Sequence, residues 1–217
     1  MKETELQDLL RETSRTFALA IPLLHEPLRR QVGLSYLLFR VADTLEDAPN
    51  LDTAQKVSLL QLMRDALNSD AAAAFAAELR SAWSDEYWPC DPSIHRLMDS
   101  IPALFAVLAT LPQAVSRKIR QHLARTIEGM SRFLRSSADS GYQLVVADFH
   151  QLRDYCYCVA GIVGELLTEL FLVARASGEE SKATLLKLAA EFGECLQLTN
   201  ILKDLEADVA QPVSYTH

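Results

Sequence analysis

Two stretches of this sequence place carboxylates where a helix gains nothing from them. In RVADTLEDAP, Arg40 to Pro49, the acids Asp43, Glu46 and Asp47 fall within five residues. Asp43 and Asp47 are four apart, so on a helix they share a face, where like charges are mildly destabilising. Pro49 disfavours helical backbone at Ala48. Asp47 therefore stands in the last turn, opposing the helix dipole at a cost of about 0.3–1 kcal/mol. In QLTNILKDLEAD, Gln197 to Asp208, the residues Asn200, Asp204 and Asp208 recur every fourth position. A cation accompanies each group, Arg40 before Asp43 and Lys203 before Asp204. Magnesium takes hard oxygen ligands, usually one or two carboxylates plus substrate phosphates. Two such faces predict bound Mg²⁺ that neutralises a diphosphate as it leaves. Apolar walls around them would suit a prenyl chain and keep water from a carbocation.

The elements that must hold these residues are helices. Periodicity predicts a first helix from Glu3 to Ala20, broken around Thr13–Ser14 and ended by Pro22. Pro27 opens a second, running to Asp47, and Asp52 caps another to Asn68. An alanine-rich helix follows to Asp85, then a WPCDPS loop, Trp88 to Ser93. Further helices are expected from Ile94 to Leu111 and from Gln113 to Ser137. Gly141 marks a turn before a long apolar helix, His150 to Ala176, and the SGEE turn (Ser177 to Glu180) launches the last, to Val209. No segment alternates like a strand. The expected fold is all-α, a single helical bundle with its site between helices.

Bulk properties narrow the function. At 217 residues, 49% hydrophobic and 23% charged, the chain is an ordinary globular domain. Its net charge of −8 argues against a nucleic-acid binder. Cys90, Cys156, Cys158 and Cys195 have neither disulfide-framework nor zinc spacing, which favours a reducing compartment. The N-terminus is too charged for a signal peptide. The longest uncharged apolar run, Ile101 to Pro112, is shorter than a membrane span. A cytoplasmic protein with peripheral membrane contact is the expectation.

Other polar groups read more plainly. Glu165 and Glu169 are also an acid pair at four-residue spacing, but with no cation beside them in sequence they suggest a helix surface or an outer support. The charge run Ser116 to Arg125 suggests a solvated face, and His25, His95, His122 and His150 are too scattered for a site. A ferritin-like carboxylate bundle would need Glu-x-x-His pairs, and the sequence has none.

Four blocks, in order, resemble the squalene/phytoene synthase family from Thr13 to about Asp208: TSRTFALAIP (Thr13 to Pro22), YLLFRVADTLED (Tyr36 to Asp47), DYCYCVAGIVGELLTELF (Asp154 to Phe171) and LQLTNILKDLEAD. The resemblance implies the isoprenoid-synthase type of bundle. It implies that Asp43, Asp47, Asp204 and Asp208 bind Mg²⁺, with Asn200 joining the second metal site. Ser14, Arg15, Arg40 and Lys203 would contact diphosphate, and Tyr155 would face the reacting carbons. Lys203 stands where many relatives carry arginine and lacks the bidentate fork. Gly161 and Gly164 suggest close approach of a neighbouring helix or a prenyl chain. DTLED is similar to the squalene synthase form of the first motif. The implied reaction joins two farnesyl diphosphates head to head through presqualene diphosphate, with NADPH reducing the product to squalene.

Phytoene or dehydrosqualene formation, a class I terpene cyclase and a non-catalytic helical scaffold are the alternatives. Members of the family continue for several helices past the second motif. Residues 1–210 are thus expected to be an incomplete synthase domain. PVSYTH resembles a translated sequencing adapter, so 211–217 are expected to be a non-native tail.

Overall fold

The computed structural model describes residues 1–14, 16–49, 51–69, 71–82, 91–138, 146–175 and 182–210, with side chains to 174 and to 203 in the last two stretches. Every regular element among them is helical. The order is α1 (Glu3–Thr13), α2 (Phe17–Ala20) with a 3₁₀ turn (Ile21–Leu23), α3 (Leu28–Asp47), α4 (Thr53–Ala66), α5 (Ala72–Ala82), α6 (Pro92–Asp99), α7 (Ile101–Thr110) and α8 (Gln113–Ser137). Then come α9 (Phe149–Cys156), a π-helical segment (Tyr157–Gly161), α10 (Ile162–Arg175) and α11 (Lys182–Ala210).

Helix α3 is the hub. It packs against α1, α4, α6, α7, α8 and α10, and Leu34, Leu37, Leu38, Val41 and Leu45 are fully buried. Each buried leucine contributes roughly 1.5–3 kcal/mol of transfer free energy. Against α1 the approach is close: a Cβ at Gly33 would lie 3.0 Å from Leu6 and 3.1 Å from Leu10. The other helices fill out the periphery of this hub or, like α9 and α11, attach through α8 and α10.

The local rules act where the sequence signals them. Asp52 caps α4 by accepting the Gln55 amide at 2.8 Å, while the Gln55 side chain accepts the Asp52 amide at 2.9 Å, a reciprocal capping box. Asp91 caps α6 and Pro92 opens it, so the helix begins at Pro92 rather than Ile94, and the rest of the expected loop, residues 88–90, lies outside the described residues. Two expected continuous helices are interrupted. Pro102 has no amide to offer Met98, so the chain turns at Ser100 and divides Ile94–Leu111 between α6 and α7. The long apolar helix carries the π segment in its middle, a feature that periodicity does not reveal. The expected turns at Gly141 and Ser177–Glu180 lie outside the described residues.

The stretch Phe149–Ala174 is long and apolar enough to cross a bilayer, unlike the shorter run singled out from sequence. Inner helices of soluble bundles have the same composition. Here α10 packs against α3, α8 and α11.

Candidate functional site

The face of α3 opposite its buried leucines carries Tyr36, Arg40, Asp43 and Asp47, spaced four, three and four. Its upper end is fastened to the preceding segment. The Tyr36 hydroxyl donates to the Thr13 carbonyl at 3.0 Å, and the Phe17 ring lies 5.3 Å from the Tyr36 ring. Ser14 Oγ accepts the Phe17 amide at 2.9 Å. Thr13, Ser14 and Phe17 therefore lie at the Tyr36 end of the face that carries the acids. Arg15 lies outside the described residues.

Electrostatically the lower end of α3 is short of positive charge. Burial, and then the neighbouring Asp47, push the half-buried Asp43 from its ordinary value up to about 7, against the pull of Arg40. Glu46 is pushed well above the carboxylate range by burial and by both aspartates, with Lys56 opposing. Carboxylates crowded this way hold protons unless a cation enters. Arg40 adds a complementary defect: its Nε is buried without a hydrogen-bond partner. A buried orphan donor one turn from Asp43, a carboxyl that burial and Asp47 hold toward its neutral form, fits a metal–diphosphate pair, in which anion and cation arrive together.

Tyr155 lies on α9, which packs against α8, α11 and the π segment. It is 5% exposed and packs edge-on against Phe133, centroids 5.3 Å apart at 82°. Burial raises its hydroxyl pKa well above the ordinary value, and Glu46, Asp47 and Asp43 add to the effect. The structure thus places Tyr155 within electrostatic reach of the first acid motif, though more than a hundred residues separate them.

A polar clamp holds the π segment that follows. Tyr157 donates to Glu165 at 3.0 Å, Arg125 pairs with Glu165 at 2.7 Å, and Lys118 pairs with Glu169 at 2.7 Å. His122 is buried, with Nδ1 2.9 Å from the Lys118 carbonyl and Nε2 3.9 Å from Glu165. The carbonyl can only accept, so Nδ1 carries the hydrogen. The sequence expectation needs correcting here. Cations do stand beside Glu165 and Glu169, and the run Ser116 to Arg125 supplies them from α8 rather than forming a wholly solvated face.

Glycines set the remaining distances. A Cβ at Gly164 would fall 2.3 Å from the Ala189 carbonyl oxygen, and one at Gly193 would fall 2.4 Å from that of Ala160. For Gly164 the close neighbour is thus helix α11, whereas for Gly161 it is the Tyr157 ring at 2.7 Å, with the Ala190 carbonyl of α11 next at 3.3 Å. Toward the C-terminal end of α11, Asn200 and Lys203 are exposed, and the side chains of Asp204 and Asp208 lie outside the described residues. Among the described residues no three acidic, histidine or cysteine side chains form a group able to hold a metal alone. The first motif offers the one or two carboxylates that Mg²⁺ ordinarily takes from protein.

Sequence reasoning missed Lys56. It is 3% exposed, and its ammonium donates to the Glu46 carbonyl at 2.7 Å. The available signal was a cation on the opening turn of the helix directly after the acid motif.

A family model described as squalene/phytoene synthase matches residues 10–215. The squalene synthase of Saccharomyces cerevisiae is 29% identical over 209 residues, covering 96% of this chain and 44% of that protein. Botryococcus squalene synthase, from Botryococcus braunii, is 28% identical, covering 93% of this chain and 39% of its own length. The chain thus spans less than half the length of these curated relatives. Among solved structures, TcSQS in complex with the ligand BPH1237 matches with a TM-score of 0.74 and 26% identity, over 96% of this chain and 56% of that one.

Proposed function

Given that the chain belongs to the squalene/phytoene synthase family, we propose that its site serves Mg²⁺-dependent head-to-head condensation of two farnesyl diphosphates, through presqualene diphosphate, to squalene. The observation that carries the reading is the α3 face: Asp43 and Asp47 crowded enough to hold Asp43 near pH 7, beside an Arg40 with an orphan donor.

Asp43 and Asp47 would hold Mg²⁺ from α3, and Asn200, Asp204 and Asp208 from α11. The metal supplies charge neutralisation to the departing diphosphate. Arg40 and Lys203, with Ser14 and Arg15, would orient the phosphate oxygens, and the buried Nε of Arg40 would gain its acceptor. Tyr155 is held protonated by burial and the acids around it. It would therefore offer a cationic carbon chain its ring face and hydroxyl dipole rather than a phenolate. In the closing step NADPH would deliver hydride to the rearranged cation. Product analysis with and without NADPH separates squalene from dehydrosqualene. Apolar substrate tails and an apolar product favour a cytoplasmic protein in peripheral contact with membrane, which vesicle flotation tests.

The primary test is a thermal shift with Mg²⁺ and a non-hydrolysable farnesyl diphosphate analogue. Stabilisation should require both additions and vanish in Asp43→Asn. Equal stabilisation of wild type and variant would refute the assignment of this face.

A further inference from the structure

An acidic cluster and a lysine, each at the wrong end of its helix, meet at the corner between α3 and α4. Asp43, Glu46 and Asp47 crowd the C-terminal end of α3, which already carries negative dipole charge. Lys56 stands on the opening turn of α4, the positive end of its own helix, where a cation is disfavoured. Each arrangement is unfavourable within its own helix. Across the corner they compensate: Lys56 is buried and donates to the Glu46 carbonyl at 2.7 Å, and although burial lowers its pKa, Asp47 and Glu46 favour its charged form. A buried lysine without such a role would be expensive to keep.

We infer that Lys56 is a positioning residue for the acid motif: a tethered cation that fastens the last turn of α3 and offsets part of its negative charge before a divalent ion enters. The inference rests on the proposed reading of Asp43 and Asp47 as metal ligands. It implies that Lys56 restrains metal affinity while stabilising the metal-free fold. Lys56 and the divalent ion compete for the same negative potential, so affinity should be set by the lysine's charge rather than by its packing.

The test measures Mn²⁺ binding to the whole 217-residue chain through loss of the free-ion EPR signal, with melting temperatures alongside. In Lys56→Met the metal-free protein should melt lower, and Mn²⁺ should bind at least about threefold tighter through the removed repulsion. Lys56→Arg should return both quantities to wild type, and Asp43→Asn should weaken binding in either background. If wild type binds Mn²⁺ and Lys56→Met binds it equally or more weakly, this inference is overturned and the proposed function stands. If wild type shows no Mn²⁺ binding beyond a protein-free control, with or without the non-hydrolysable farnesyl diphosphate analogue, both fall. Should Lys56→Met not fold, Lys56→Arg decides alone. Wild-type affinity supports a charge role, and a threefold change in either direction refutes it.

Discussion

At the scale of single residues, the clearest consequence concerns protons. Asp43 is raised to about 7 in the fold, above the ordinary carboxylate value it regains on unfolding. Between those values the folded chain binds more protons than the unfolded one, so metal-free stability falls as pH rises toward 7. In EDTA, the melting temperature of wild type relative to Asp43→Asn should therefore be higher at pH 5.5 than at pH 7.5. A difference between the two that does not change with pH would contradict the crowding. Asp43, Asp47, Arg40 and Tyr155 could be singled out in the sequence because their types and order match a known pattern. Lys56 was not, because its partner is a backbone carbonyl across a corner, and no spacing rule encodes a contact of that kind. The cations that answer Glu165 and Glu169 were hidden similarly, lying on another helix 40 and 51 residues upstream.

At the scale of elements, helix identity followed from apolar periodicity and capping residues, as at Asp52 and at the Gln113–Ser137 helix. What periodicity could not convey was the π segment. Its extra residue changes the angular offset between Tyr155 on α9 and Glu165 on α10, so the clamp on one side and the tyrosine on the other hold their directions together. The Gly193 contact gives this level its test. Glycine to alanine inside a helix normally stabilises by about 1 kcal/mol. At Gly193 the new methyl would meet the Ala160 carbonyl at 2.4 Å, which is backbone and cannot swing aside. Gly193→Ala should instead destabilise by about 1–3 kcal/mol in urea unfolding. A gain in stability would mean that α11 does not lie this close to the π segment.

For the whole molecule, one helix bears two apolar faces. Ala190, Gly193 and Ile201 of α11 turn inward, while Leu185, Leu188, Phe192 and Leu196 are 42 to 65% exposed along another stripe. A helix apolar all round belongs in an interior, and stripes of this kind drive association. The wild-type chain should self-associate with concentration in sedimentation velocity, and Leu188→Glu with Phe192→Glu should return it to monomer. A monomeric wild type at high concentration would show that the stripe is covered in solution. The sequence pattern carried the all-α class but not this imbalance, since exposure depends on which neighbours a helix finds.

The glycine crossing also bears on which substitutions this chain can accept. In a saturation library sorted only for folded protein, positions 164 and 193 should retain glycine alone, because the obstruction there is a carbonyl oxygen. Positions 43 and 47 should drift freely in the same sort, and uncharged residues should even be enriched at 43. Sorting instead for ligand capture should restore the acids and leave the glycine columns unchanged. Comparing the two sorts would divide the chain, column by column, into what its architecture requires and what its chemistry requires.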